Sequence, residues 1–527
     1  MTYSRLNASA ATLTKNRTED SVSPFSGMCT TCIDGCVGMC EIGKSAYRGA
    51  EMIYPQPFGI ITTASAKNYP VDLSHFTILG RATGAWGIEP DSDRALFPNV
   101  DLEVRWGREP GLRSKLPFLV AALGSTNIAK NNWEGLAVGA AITGTCLTVG
   151  ENVCGMDPES VLSNGHLLSS SELEWRVRAF REWQEDGYGE VIVQANVEDT
   201  RLGVHEFAIR KLGVGAVEIK WGQGAKDIGG EVKIRDIERA RLLKRRGYVV
   251  LPDPESPAVA DAFRRESFRE FERHSRIGMA ERDAFLRRVE ELRSLGAKWI
   301  SLKTGAYRPA DLARALKWSS EAGIDLLTVD AAGGGTGMSP WRMMNEWGVP
   351  GIELHSLLYQ YCERLTKAGH TIPAIALAGG FTFEDQIFKG LALVAPYARL
   401  IAWARAPLAA AMVGKTIGRC IEENNLPVYI ERFGTTVDEV FVTATELQER
   451  FKDRFRKLPT GAIGLYTYYQ RVAQGLRQLM CGARKFALRY ISRDDIAALT
   501  PRAAEISGIP LVSDADQEEV DRILAAA

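Results

Sequence analysis

The stretch AKWISLKTGAYRPADLARALKWSSEAGIDLLTVDAAGGGTGMSP, residues 297–340, decides the fold. An apolar, β-branched run (AKWISLK, 297–303) enters a Gly/Pro turn. A helical pattern follows, and a second apolar run (DLLTVDA, 325–331) ends in a glycine-rich loop. This is a strand–helix–strand unit, the signature of a parallel sheet. Working outward, the same rhythm recurs at PFLVAAL (117–123), EVIVQAN (190–196), AVEIKW (216–221), GYVVLPD (247–253), PAIALAG (373–379) and ARLIAWA (398–404). A further short run lies near Gly144–Leu147. About eight such units in roughly 300 residues predict an α/β fold, a (β/α)8 TIM barrel. A doubly wound open sheet is the alternative, weakened because no early GxGxxG follows a strand.

The rest of the chain is organised around this barrel. Residues 1–25 are rich in Ser, Thr and Asn and read as a flexible N-terminal segment. Residues 26–112 lack the βα rhythm and read as an N-terminal lobe with a cysteine cluster. The barrel spans 113–430. A long charged stretch within it, 257–293, reads as a pair of surface helices, with Phe285, Val289 and Leu292 as an apolar stripe and Gly296 just past its end. Residues 431–527 read as a mostly helical C-terminal extension, with Ser492 as an N-cap ahead of Asp494 and Asp495.

Composition narrows the function. Of 527 residues, 45% are hydrophobic and 24% charged, which is ordinary for a globular protein. Lys and Arg number 64 against 65 Asp and Glu, so the net charge of -1 argues against nucleic acid or a membrane surface as partner. The most apolar stretch, 391–414, is interrupted by Arg399, Arg405, Pro396 and Pro407, and the first 20 residues are polar. A cytoplasmic protein is expected, acting on a small molecule and forming a homo-oligomer.

Four of the nine cysteines fall in MCTTCIDGCVGMC: Cys29, Cys32, Cys36 and Cys40. In a reducing compartment, clustered thiols suggest a metal site rather than disulfides. Four thiolates suit a 4Fe–4S cluster or zinc. The spacing matches neither a bacterial ferredoxin run nor a zinc ribbon, so both metals, and unligated thiols, stay open.

In a barrel the chemistry belongs at the C-terminal ends of the strands. Gly333, Gly334, Gly335 and Gly337 follow one late strand and Gly379-Gly380 the next, with Arg405 ending the last. Paired glycines let backbone N–H groups approach a phosphate, and a guanidinium adds charge. Lys220 and Lys303 end strands and can stabilise negative charge on a ligand or a reduced cofactor; a Schiff-base role for Lys303 is the rival reading. GQGAKDIGGE, 222–231, is too glycine-rich for a simple turn. Its Gln223 and Lys226 can donate to a substrate carboxylate, and Glu151 can serve as acid or counter-charge.

These segments, in this order, resemble the FMN-binding synthase domain of glutamate synthase. EIKWGQGAKDIGGE (218–231) is similar to that family's QGAK segment and GGGTGMSP (333–340) to its GGTG segment. RLGV (201–204), LAVGAAITGTCLTVGE (136–151), ALAGG (376–380) and GLYTYYQRVAQGLRQLMCGA (464–483) resemble further family segments. The family's three cluster cysteines after the last strand have no counterpart in WARAPLAAAMVG (403–414), residue 2 is Thr, and Ala332-Gly333 replaces the family's His-Asp. The chain thus looks like stand-alone relatives of the synthase domain, some of which carry an N-terminal cysteine cluster.

The resemblance implies a barrel holding FMN. Gly124 and Ser125 would face the flavin from the first strand and Asn196 from the third. Lys303 would lie at its pyrimidine end, and Gly334, Gly335, Gly379 and Gly380 would hold the phosphate. Glu151, Lys220, Gln223 and Lys226 would face the substrate. The implied activity is an iron–sulfur, FMN-dependent oxidoreductase, moving a hydride between reduced FMN and an imine or 2-oxo-acid-derived substrate. Its electrons would come from a ferredoxin-like carrier or a partner electron-transfer subunit. The alternatives are an amine or amino-acid dehydrogenase running outward, a flavin electron-transfer subunit of a larger complex, and a flavin-free barrel lyase or isomerase.

Overall fold

A computed structural model describes residues 69–526 except 225, 227–231 and 335–338. Eight parallel strands close into a barrel. They are β1 (Phe118–Leu123), β2 (Cys146–Val149), β3 (Val191–Ala195), β4 (Ala216–Lys220), β5 (Trp299–Thr304), β6 (Leu326–Asp330), β7 (Ala374–Ala378) and β8 (Ala398–Trp403). β8 returns to β1 with Ile401 opposite Phe118. The ring has no free edge, which excludes the open sheet.

Two expectations are corrected. GYVVLPD is not a barrel strand: Val249–Leu251 pairs antiparallel with Phe271–His274, which also pairs with Val232–Ile234 in a separate three-stranded sheet. The second barrel strand is the short run Cys146–Val149. Burial separates the two: β2 is buried at every residue, whereas Val249 and Leu251 are exposed around buried Val250. A parallel strand inside a barrel is covered on both faces, and a strand of a satellite sheet on one. The stretch 257–293 is likewise no simple helical pair. Between helices Pro257–Arg264 and Arg282–Ser294 lies the strand Phe271–His274, with Phe271 and Arg273 buried. Its period of two is hard to see among so many charges. The Phe285, Val289 and Leu292 stripe is buried as expected.

The interior of the barrel is layered. Leu119, Ala121, Cys146, Ile192, Ala216, Leu326, Ala376, Leu400 and Ala402 form one apolar cluster with Val104, Trp106 and Leu112. The last three belong to an antiparallel hairpin, Val104–Trp106 with Leu112–Ser114, that plugs the N-terminal end of the barrel. Two or four residues further along β2 to β6, on the same inward face, stand polar side chains: Thr148, Gln194, Glu218, Lys220, Ser301, Lys303, Thr328 and Asp330. The barrel therefore has an apolar floor and a polar mouth.

The helices α1 (Trp133–Ile142), α2 (Ser171–Arg181), α3 (Val197–Leu202), α4 (Arg405–Glu422) and α5 (Thr460–Gly482) set the site's frame. Close glycines let α1, α4 and α5 touch: a Cβ on Gly135 would stand 3.1 Å from Gly461, and one on Gly464 2.8 Å from Gly414. At the seam of the barrel Phe118 of β1 packs on Trp403 of β8 with ring centroids 4.7 Å apart, and the Trp403 indole donates to the Tyr469 hydroxyl of α5 at 3.1 Å. Farther out, Phe76–Ile78 pairs antiparallel with Ile496–Ala498, so the segment before the barrel and the C-terminal region interlock. Ser492 caps a single 3-10 turn, Arg493–Asp495.

Candidate active site at the barrel mouth

Glu151 follows β2, Lys220 ends β4, and Gln223 and Lys226 sit on the loop after β4. The fold brings all four together. Lys220 donates to Glu151 Oε1 and, at 2.6 Å, to Gln223 Oε1. Gln223 and Lys226 bridge each other through their backbones, both at 3.3 Å. Gly305 of the loop after β5 comes so close that a Cβ there would stand 2.8 Å from the Gln223 carbonyl.

Electrostatics differentiate these groups. Burial would raise the Glu151 carboxyl, but the Lys220 and Lys226 ammonium groups and the Lys220 hydrogen bond hold it down at about 2. Lys226 is only 2% exposed. Burial and the neighbouring Lys220, opposed by Glu151, bring its ammonium down to about 7. At neutral pH the site thus holds an ionised carboxylate beside a lysine able to gain or lose its proton. No hydrogen bond of the Lys226 ammonium is found among the described residues, so an anionic ligand would complete it.

Lys303 forms an ion pair with Asp330 at 3.1 Å. Burial would lower its pKa, but Asp330 and Glu218 raise it. A lysine held protonated is a poor Schiff-base nucleophile and a good partner for negative charge. Asp330, Glu218 and Gln194 were missed by sequence reasoning. Gln194 donates to Glu218 at 2.6 Å, on adjacent strands. The available signal was position: each stands on the inward face close to the end of its strand, Asp330 at the very end of β6 and Gln194 and Glu218 just before the ends of β3 and β4.

The glycine loops follow β6 and β7, and Arg405 follows β8. Gly333, Gly379 and Gly380 have φ of 111°, 125° and 110°, a region L side chains avoid. A Cβ on Gly334 would stand 2.9 Å from Asp330 Oδ1. Gly380 differs: among the described residues a Cβ there would meet only Gly333, at 3.8 Å. Arg405 is not the end of the strand but the first residue of α4, and it is exposed. Gly335 and the four clustered cysteines, Cys29, Cys32, Cys36 and Cys40, lie outside the described residues. Among the described residues no group of His, Cys, Asp and Glu could hold a metal, and no helix is long and apolar enough to cross a membrane.

Gly124 and Ser125 lie at the end of β1. A Cβ on Gly124 would clash with the Glu151 carbonyl, so the two loops are in backbone contact. Ser125 Oγ is buried without a partner among the described residues. Asn196 is committed elsewhere: its Oδ1 caps α3, accepting from Glu198 N at 2.9 Å and Asp199 N at 3.1 Å. Only its amide N–H groups remain for a ligand.

Behind Glu151 lies a second buried cluster that the sequence did not announce. Asp199 Oδ2 accepts from Asn152 N at 2.8 Å. Tyr248 donates to Asn152 Oδ1 at 3.1 Å, and the Arg273 guanidinium lies 4.9 Å from the Tyr248 ring. Burial, together with Glu151, raises the Asp199 carboxyl to about 7.

A plugged (β/α)8 barrel with a polar mouth, glycine-lined loops after late strands and a buried acid–lysine pair defines the class of protein. Residues 273–420 match the family described as the conserved region in glutamate synthase. This match supports the resemblance to the FMN-binding synthase domain of glutamate synthase that the sequence segments carry. No curated protein matches the sequence. Among solved structures, the flavin-binding domain of baker's yeast flavocytochrome b2 is 13% identical, covering 86% of this chain and 82% of that one, with a TM-score of 0.46. A mandelate oxidase variant with 2-hydroxy-phenylacetamide is 15% identical, covering 80% and 85%, with a TM-score of 0.43.

Proposed function

We propose that the chain is an FMN-dependent oxidoreductase, acting on a small anionic substrate at the carbon of an imine or a 2-oxo-acid derivative. The observation that carries this reading is the juxtaposition of Glu151, Lys220, Gln223 and buried Lys226 with the glycine-lined loops after β6 and β7. The residues present suit FMN. Positive-φ glycines, with only Gly333 near a Cβ at Gly380 among the described residues, suit a phosphate, with Arg405 contributing charge. The unpartnered Ser125 Oγ and the backbone of Gly124 suit a heterocycle edge, and protonated Lys303 suits the pyrimidine end. When bound, FMN supplies the hydride chemistry.

The chain's own residues do the rest. Lys226 binds an anionic group of the substrate or passes a proton through its Nζ. Glu151, ionised and paired with Lys220, fixes that ammonium and orients Gln223, whose amide N–H groups meet no acceptor among the described residues and can donate. The apolar floor shuts bulk water out from below. Cys29, Cys32, Cys36 and Cys40 have the donor chemistry for a 4Fe–4S cluster, with zinc the other occupant their thiolates suit. A ferredoxin-like carrier would feed electrons in, and amino-acid formation from a 2-oxo acid is the leading subclass.

The test is an anaerobic absorption spectrum of the purified protein with flavin, iron, sulfide and zinc quantified. Flavin with about four iron per chain supports the full reading. Flavin with zinc keeps the oxidoreductase and removes the electron route. A colourless protein that cannot be reconstituted with FMN overturns the proposal.

A further inference from the structure

Arg176 of α2 is fully buried, and its guanidinium is directed at the backbone where β1 ends. Its Nη1 donates to the Leu123 carbonyl at 3.1 Å and to the Gly124 carbonyl at 3.0 Å. Its Nη2 donates to Glu172 Oε1 at 2.7 Å. The guanidinium lies over the Trp133 ring, 4.6 Å from its centroid, and the Trp133 indole donates to the Arg176 carbonyl at 3.0 Å. Glu172 also receives Lys130 at 2.8 Å, from the short helix Asn127–Asn131 that follows the turn. The 124–126 turn is therefore bracketed on both sides.

The direction of these bonds matters. In a planar trans peptide the C=O and N–H groups point opposite ways. The carbonyls of Leu123 and Gly124 face Arg176, so the N–H groups of Gly124 and Ser125 face away from it. Neither meets a backbone acceptor among the described residues, and Ser125 Oγ is unpartnered too. A carbonyl that accepts from a buried cation polarises its own peptide and makes the N–H on the other side a stronger donor.

We propose that Arg176 is a positioning residue that holds and polarises the Leu123–Ser125 peptides, so that the Gly124 and Ser125 N–H groups stabilise the electron-rich edge of a reduced flavin. The inference rests on the FMN reading above. It assigns redox tuning to a side chain that would not touch the cofactor. Glu172 opposes the effect, because its carboxylate partly neutralises the guanidinium.

The experiment measures the midpoint potential of bound FMN by spectroelectrochemistry, and FMN affinity by titration of apoprotein, in wild type, Arg176→Met, Arg176→Lys and Glu172→Gln. Arg176→Met is expected to lower the ratio of reduced to oxidised flavin affinity about tenfold, a downward shift of about 30 mV for a two-electron couple. Arg176→Lys keeps charge without the two-carbonyl geometry and falls between. Glu172→Gln keeps an acceptor but removes the opposing charge, and shifts the potential upward. If Arg176→Met does not fold, the Glu172→Gln shift decides alone. Wild-type potentials in every folded variant overturn the proposal. A wild-type protein that takes up no FMN strikes the flavin reading first, before any variant is compared, and this proposal falls with it.

Discussion

Lys303 on β5 and Asp330 on β6 form an ion pair at 3.1 Å across neighbouring parallel strands. In backbone register Lys303 stands opposite Thr328, so Asp330 reaches it from two residues further along the same inward face. This contact joins the expected cofactor lysine to the strand end that launches the first glycine loop. Replacing Asp330 with Asn leaves a buried ammonium without its nearest counter-ion, at a cost of about 3 kcal/mol. Urea unfolding of apoprotein measures the loss, and FMN titration should show weakened binding; a variant as stable as wild type would remove the pair from the structural account.

Lys226 sets a pH dependence. Its ammonium, brought down to about 7 by burial and Lys220, is charged below that pH and neutral above. Binding of an anionic 2-oxo acid should be constant below about pH 7 and weaken up to tenfold per unit above it. Titrating 2-oxoglutarate against flavin absorbance from pH 6 to 9 checks this. Lys226→Met should bind weakly and without the break.

Asp199 couples to stability with the opposite sign to a salt-bridged carboxylate. Burial raises it to about 7 from an ordinary value near 3.8. Between those values the folded state holds a proton that the unfolded state has released, so stability falls as pH rises, by up to about 1.4 kcal/mol per unit. Asp199→Asn cannot titrate. Relative to wild type it should gain stability between pH 4 and 7 and then hold the gain. Thermal unfolding of both proteins at pH 4.5 and 8 isolates this site, since the other groups are common to both.

Gly380 tests the phosphate cradle. Its φ of 110° makes Ala strained by about 1–2 kcal/mol, yet among the described residues the added methyl meets only Gly333 at 3.8 Å. Gly380→Ala should therefore fold and lose at least about tenfold in FMN affinity. Unchanged affinity would move the phosphate away from this loop.

The barrel was legible wherever a strand ran long and apolar before a glycine turn, as at 297–303 and 325–331. It was only faintly legible at β2, where the short run near Gly144–Leu147 marked the strand Cys146–Val149 but looked weaker in sequence than the satellite strand at 249–251. Burial on both faces, invisible in one dimension, distinguishes them. Glu151, Lys220, Gln223 and Lys226 could be picked out because each stands at a strand end or in a glycine-rich loop. Asp330, Glu218 and Gln194 could not, because a polar residue inside an apolar run looks the same whether it points inward or outward. Arg176 and Arg273 were hidden among many arginines.

The sequence by itself determined the parallel α/β class, the strand ends that carry chemistry and the glycines that a close backbone approach demands. These are local properties, written in periodicity and in φ. The tertiary structure alone decided which carboxylate meets which lysine, that Lys226 is buried while Lys303 is held protonated, and that a buried arginine backs the end of β1. Those outcomes depend on Coulomb interactions and desolvation between residues dozens to more than a hundred positions apart, which come together only when the ring of strands closes.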